Sequence, residues 1–238
     1  MPDLLFILYL LVFFPLQNIW RGLRPALHKP ERSPLRTYWR QGRVVLALLG
    51  VLVVVMWSGH HAACELGLAP PRSAAAVGGL IGACCLIVGL HLAGKRMERN
   101  MAPEKRAAQE AMLRALPMAV PRTHLETAAY LVTMVGMTCA WEMLYRGYLL
   151  LVLTPFTGLP AAVALAAVAY GASHGYQHPR QFVGSIAAAF AFTIGYALTG
   201  SLWWLMVLHA AAPVGLLLAM RKLPAAPALA STPAPSPG

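Results

Sequence analysis

Seven long apolar runs, at roughly 4–20, 43–61, 74–94, 125–155, 160–176, 182–199 and 201–220, constrain this chain more than any other feature. Several reach the ~20 residues that a helix needs to cross a bilayer. In lipid each backbone N–H and C=O has to be bonded within the protein, so runs of this length are expected to be helices. The fold class that follows is all-α, a polytopic membrane helix bundle of about seven transmembrane helices. A chain that is 58% hydrophobic and 11% charged, with mean hydropathy +0.61, is not an ordinary soluble domain. The fourth run is long enough to tilt or to pass the interface. The first has neither a basic leader nor an Ala-x-Ala cleavage site before Arg21, so it reads as a membrane helix. Pro15 interrupts it, and a re-entrant or interfacial course is the alternative.

The formal charge of +11 raises the question of nucleic acid, but the basic residues fall in loops beside apolar spans. Residues 21–43 carry seven Lys/Arg, 95–122 carry seven, position 180 one and 221–222 two, whereas the intervening loops carry only Arg72. Seven spans with the N terminus outside and the C terminus in the cytoplasm put all of the larger groups on one side. The expectation is therefore an integral membrane protein with the bilayer, not nucleic acid, as its partner. The Ala- and Pro-rich composition points to a bacterial inner membrane. Lys95 to Glu126 mixes charge with helix formers and reads as an amphipathic surface helix. Residues 1–115 are expected to form N-terminal membrane helices with basic loops, 116–222 a second helix bundle, and 223–238 a disordered Pro/Ala-rich tail.

Within this apolar sequence a few polar residues stand out. Glu142 is the only acidic residue from 127 onward, and Arg146 follows it four positions later. A charge at the bilayer centre costs about 2.5–3.5 kcal/mol on insertion scales, so such a pair is a functional-site hypothesis by default. Glu before Arg at i, i+4 shares a helix face. A structural ion pair is the competing reading. His174 ends the fifth run and His209 lies inside the seventh. Glu142 and His174 are each about sixteen residues from the centre of the Pro155–Pro160 turn, or ~24 Å at 1.5 Å per residue, and so share a depth. Helix tilt absorbs much of the offset of His209. The cysteines carry less: Cys84, Cys85 and Cys139 read as packing residues, and His60-His61-x-x-Cys64-Glu65 is weak evidence for a metal.

The order Glu142-x-x-x-Arg146-Gly147, Tyr170-x-x-x-His174 and a late His209 resembles the CPBP group of glutamic intramembrane endopeptidases, which includes the CAAX prenyl proteases and bacteriocin-processing relatives. The lead-in Leu116-Pro117 to Pro121-Arg122-Thr123, with Gly195 and Gly200-Ser201-Leu202-Trp203, extends the likeness over residues 116–215. The resemblance implies peptide-bond hydrolysis in the membrane with no cofactor and no metal. It casts Glu142 as base, His174 as its partner in polarising water, His209 as water or oxyanion ligand, and Arg146 as the group that keeps Glu142 ionised. Trp141, Tyr145, Tyr170 and Pro213 are expected to shape the site and meet a membrane-embedded peptide or protein substrate. Bacteriocin leaders or C-terminal sorting tails, as handled by myxosortase-like relatives, are the substrate classes implied. Two positions depart from the family pattern: Trp141 stands where the family has Glu, and Pro213 where it has Asn or Asp. A catalytically inactive CPBP-fold scaffold or chaperone is therefore one alternative. A metal-dependent membrane protease using His174, His178 and Glu142, or a transporter, is the other.

Overall fold

The computed structural model describes residues 2–24, 33–114, 121 and 123–222. Leu116 to Val120, Arg122 and the tail from Leu223, which figured in the sequence reading, lie outside these residues. Among the described residues there are ten α-helices and no strands: α1 Pro2–Leu8, α2 Phe14–Leu23, α3 Pro34–Ser58, α4 Ala74–Arg99, α5 Pro103–Arg114, α6 His124–Glu142, α7 Leu149–Thr157, α8 Leu159–Ser173, α9 Pro179–Thr199 and α10 Trp203–Arg221. A π-helical turn, Tyr9–Phe13, joins α1 to α2, and a second, Met143–Tyr148, joins α6 to α7. Eight continuous rods result among the described residues; seven match the seven apolar runs, and α5 is the eighth. Asp3–Leu23, α3, α4, α9 and α10 are long and apolar enough to cross a membrane. Large apolar side chains point outward, as on Trp57, Val132, Phe156 and Leu198. That is the arrangement expected of a lipid-facing surface.

Several expected boundaries move, each for a local reason. The helix of the second run begins at Pro34, nine residues early, because Pro fits the first helical turn and Arg36, Arg40 and Arg43 can lie beyond the apolar zone. Pro155 does not open the turn between the fourth and fifth spans. The chain stays helical through it to Thr157, with the Thr154 and Thr157 hydroxyls donating to the Leu150 and Leu153 carbonyls. Gly158, at φ 76°, makes the break instead. The expected surface helix from Lys95 is divided: α4 ends at Arg99 and α5 starts afresh with Pro103. Cys84 and Cys85 are exposed on the outside of α4, which corrects their reading as packing residues.

Pro15 does not break the first rod; it explains the π turn. The Phe14 N–H bonds the Tyr9 carbonyl in the i→i+5 register, so the Leu10 carbonyl would need the N–H that Pro15 lacks. The buried Tyr145 hydroxyl donates to Leu10 O at 2.9 Å instead. One tyrosine thus ties the first rod to the second π turn. The main core surrounds this junction, with Phe6, Leu10, Leu144, Tyr148 and Leu149 buried together. A smaller cluster of Tyr38, Tyr130, Met134, Leu217 and Met220 joins α3, α6 and α10.

Local signals set the other ends. Thr123 and Glu126 form a capping box at the start of α6, each side chain bonded to the other's backbone N–H at 3.1 Å. Gly175 closes α8 at φ 76°, its N–H bonded to Ala172 O at 3.0 Å. A Cβ at Gly175 would lie 2.9 Å from the Asn18 carbonyl oxygen, and one at Gly22 would overlap the Tyr176 carbonyl. The end of α2 therefore lies directly on the turn that follows His174. We expect Gly175→Val to destabilise the fold by more than the about 1–2 kcal/mol of a left-handed β-branched residue, since a backbone contact is lost as well. Thermal unfolding in detergent measures it; an unchanged melting temperature would mean that this turn has room to move.

Candidate active site

Glu142 is the last residue of α6 and Arg146 lies within the π turn that follows. A π turn inserts one residue into a helix and redirects the side chains after it, and such turns recur at functional sites. Both side chains are 0% exposed, which removes solvent from their interaction. Arg146 Nη1 donates to both carboxylate oxygens of Glu142, at 2.6 Å to Oε1 and 2.7 Å to Oε2. Charge-assisted bonds of this length are the strong ones. The rest of the guanidinium has no hydrogen-bond partner: Nε and Nη2 are buried against aromatic faces, with Cζ 4.4 Å from the Tyr170 ring centre and 5.8 Å from that of Phe192. The rings supply a cation–π environment where water would otherwise sit.

The tightness of the π turn depends on Gly147. A Cβ there would stand 3.0 Å from the Leu66 carbonyl oxygen, because the short 3-10 helix Ala63–Leu66 is seated on the turn. The same segment holds the start of α10, where Leu202 N–H bonds Gly67 O at 2.9 Å and the Trp203 indole donates to the Leu68 and Ala69 carbonyls. Gly195 leaves space for the Trp204 ring, which would come within 2.8 Å of a Cβ there. These contacts give a steric reason for glycine at 147 and 195.

α10 brings His209 to the pair. Its Nδ1 lies 2.8 Å from Glu142 Oε1, yet the approach is not aligned as a hydrogen bond and Nδ1 has no other partner. We treat it as a close electrostatic contact, since hydrogen bonds weaken steeply off axis. His174, at the C-cap of α8, directs Nδ1 to the Tyr170 carbonyl at 3.0 Å. That bond assigns the proton to Nδ1 and leaves Nε2 with its lone pair. The Tyr170 ring meets His174 and His209 edge to face, at 4.9 and 6.4 Å between centroids, and carries Arg146 on its face. The expected convergence of Glu142, Arg146, His174 and His209 on three helical rods is thus present.

A cavity of about 350 Å³ opens beside the two imidazoles, lined by Tyr170, His174 and His209 together with Gln181, Ser185 and Phe192 of α9. Glu142 does not line it. Gln181 Nε2 donates to Ser185 Oγ at 3.0 Å, which leaves the serine proton for an acceptor in the cavity. These three α9 residues were missed by sequence reasoning. Their spacing of four and seven puts them on one helix face, but none is unusual enough in an apolar helix to stand out. A larger cavity, about 950 Å³, lies elsewhere between α4, α5 and the end of α10.

The residues expected to shape the site divide. Tyr170 lines it. Tyr145 stacks behind it, 5.1 Å from the Tyr170 ring, with its hydroxyl engaged by Leu10. Trp141 packs against Phe14 of α2 and Tyr145, with ring centroids 4.7 and 5.9 Å away, where the family pattern has an acid. Pro213 lies in α10 one turn after His209 and cannot donate to the His209 carbonyl. Its own carbonyl accepts from Tyr130 Oη at 3.1 Å. His178 is not on a helix face with His174: it caps α9, its Nδ1 accepting from Gln181 N at 3.1 Å. Among the described residues no three His, Cys, Asp or Glu side chains are grouped as a metal site. His61 instead pairs with Glu65 at 2.8 Å.

Comparison with known proteins bears on this geometry. Residues 123–214 match a family model described as Type II CAAX prenyl endopeptidase Rce1-like, a match that covers less than half of the chain. No curated protein and no solved structure matches the chain. The matched segment runs from the cap of α6 to α10 and holds Glu142, Arg146, His174 and His209. Residues 123–214 are therefore similar to the Rce1-like endopeptidases of the CPBP family, within a helical membrane protein.

Proposed function

We propose that this protein is an intramembrane endopeptidase in which Glu142, paired with Arg146, drives hydrolysis through the imidazoles of His209 and His174. The family is one of proteases. The observation that carries the reading is the contact of Glu142 with both Arg146 and His209 at the edge of a cavity that His174 also lines. Because Glu142 lies outside the lining, its negative charge acts on water through His209 rather than by direct contact. This modifies the role of direct base that the family likeness gives it.

The chemistry balances with this chain's own groups. A water held by the Nε2 atoms of His174 and His209 presents its lone pair to a peptide carbonyl carbon. One water proton passes to His209 Nε2 as the C–O bond forms, and the imidazolium is stabilised by Glu142. Ser185 Oγ–H is the available donor to the developing oxyanion. When the C–N bond breaks, His209 returns its proton to the leaving amine.

The substrate is a membrane-embedded segment, such as a leader or C-terminal sorting tail, and the setting a bacterial inner membrane with the N terminus outside. Trp141, packed on α2 in place of an acid, is what favours the inactive-scaffold alternative. The two are separated by rates. We expect His174→Ala and His209→Ala each to lower turnover of a tail reporter by roughly two to four orders of magnitude. His178→Ala should cost only the α9 cap, about 0.5–2 kcal/mol, and little activity. Initial rates and melting temperatures of the purified variants in lipid check this. A His174→Ala form that loses stability but keeps turnover would reduce that histidine to packing.

A further inference from the structure

The cavity of about 950 Å³ belongs to a different part of the molecule, at the end of the bundle where α4 and α10 both finish. Lys95, Arg96, Arg99, Arg106 and Lys222 line it, against the carboxylates of Glu98 and Glu110. Glu98 is already engaged, with Lys222 Nζ 2.8 Å from its carboxylate, while Arg106 Nη2 donates to its backbone carbonyl at 3.1 Å. Four cations then face one remaining carboxylate, Glu110. Apart from Gln109, the rest of the wall is apolar: Leu92, Met101, Leu113 and Ala219. Leu92 is exposed and lies one turn before Lys95, and Leu86, Val88 and Leu90 continue the exposed apolar surface down α4. An apolar stem that turns basic within one helical turn is the profile of a membrane interface.

We infer that this cavity binds the phosphate headgroup of an anionic phospholipid, with the acyl chains lying along α4. Charge complementarity selects a phosphate, and the apolar wall joined to a membrane-spanning helix selects a lipid over a soluble anion. The site involves none of the residues placed at Glu142, and the inference does not rest on peptidase activity.

The test uses the full-length protein in detergent, titrated with phosphatidylglycerol, phosphatidylcholine or glycerol 3-phosphate and read by native mass spectrometry. Phosphatidylglycerol should bind at least tenfold more tightly than phosphatidylcholine. The Lys95→Gln/Arg96→Gln/Arg99→Gln variant should lose that preference, whereas Arg21→Gln/Arg24→Gln/Arg43→Gln, equal in charge removed, should keep it. Arg99→Glu alone, at an exposed helix end, should weaken binding at least threefold and guards against misfolding of the triple variant. Equal binding of the two lipids, or equal loss in both triple variants, would overturn the inference. So would displacement of phosphatidylglycerol by glycerol 3-phosphate at similar concentration, which would make this a soluble-anion site.

Discussion

Arg146→Leu is expected to destabilise the protein by about 3–5 kcal/mol, the typical cost of removing one member of a buried ion pair. Nη1 alone bridges both oxygens of Glu142, and no solvent reaches either group, so the deletion strands a carboxylate whose remaining neighbour is the misaligned His209. Glu142 can escape by taking a proton, which spares part of the fold while removing its charge. Arg146→Lys should be milder, since it keeps a cation within reach but loses the planar contact with the Tyr170 ring. In the double variant Glu142→Gln/Arg146→Leu much of the lost stability should return, because no uncompensated charge remains. Unfolding titrations in mixed micelles give the four corners of this cycle. Additive losses would mean that the two side chains are not coupled, and the holding role of Arg146 would be withdrawn.

Glu142→Gln is expected to lower the rate of peptide cleavage by roughly two to four orders of magnitude while leaving the bundle folded. The substitution keeps volume and hydrogen-bonding reach, and removes only the charge that opposes a His209 imidazolium. It also removes the anion that Arg146 balances, so a small loss of stability is expected beside the large loss of rate. A structural ion pair predicts the reverse, a stability loss with turnover kept. Initial rates and unfolding free energies of one purified variant therefore separate the two readings.

The bundle was legible because its signal is long and physical. Seven apolar runs matched seven helical rods, and the isolation of Glu142, Arg146, His174 and His209 in that apolar background pointed to the residues that meet. What was hidden were departures of backbone register. Nothing in Met143–Tyr148 announces an extra residue in the helix, and Pro155 reads as a turn although the helix continues through it to Thr157. Pro15 was noticed as an interruption, but its consequence depends on Tyr145, 130 positions away in sequence, whose hydroxyl serves the Leu10 carbonyl. The α9 wall of the cavity escaped for another reason. Gln181, Ser185 and Phe192 become informative only once His174 and His209 are seen to face them. Trp141 and Pro213 were visible as departures from a pattern, but their partners, Phe14 and Tyr130, required the fold.

The most direct test of the central claim is product analysis in ¹⁸O-labelled water, with the purified protein in lipid vesicles and a panel of reporters bearing membrane-embedded tails. Under single-turnover conditions the account predicts one cleaved peptide bond in a recognised reporter, with one ¹⁸O atom in the new carboxylate. The Glu142→Gln protein, at equal folded concentration, should yield only a trace of that product. Labelled product formed at equal rates by both proteins, or no product from the parent protein on any reporter, would contradict it.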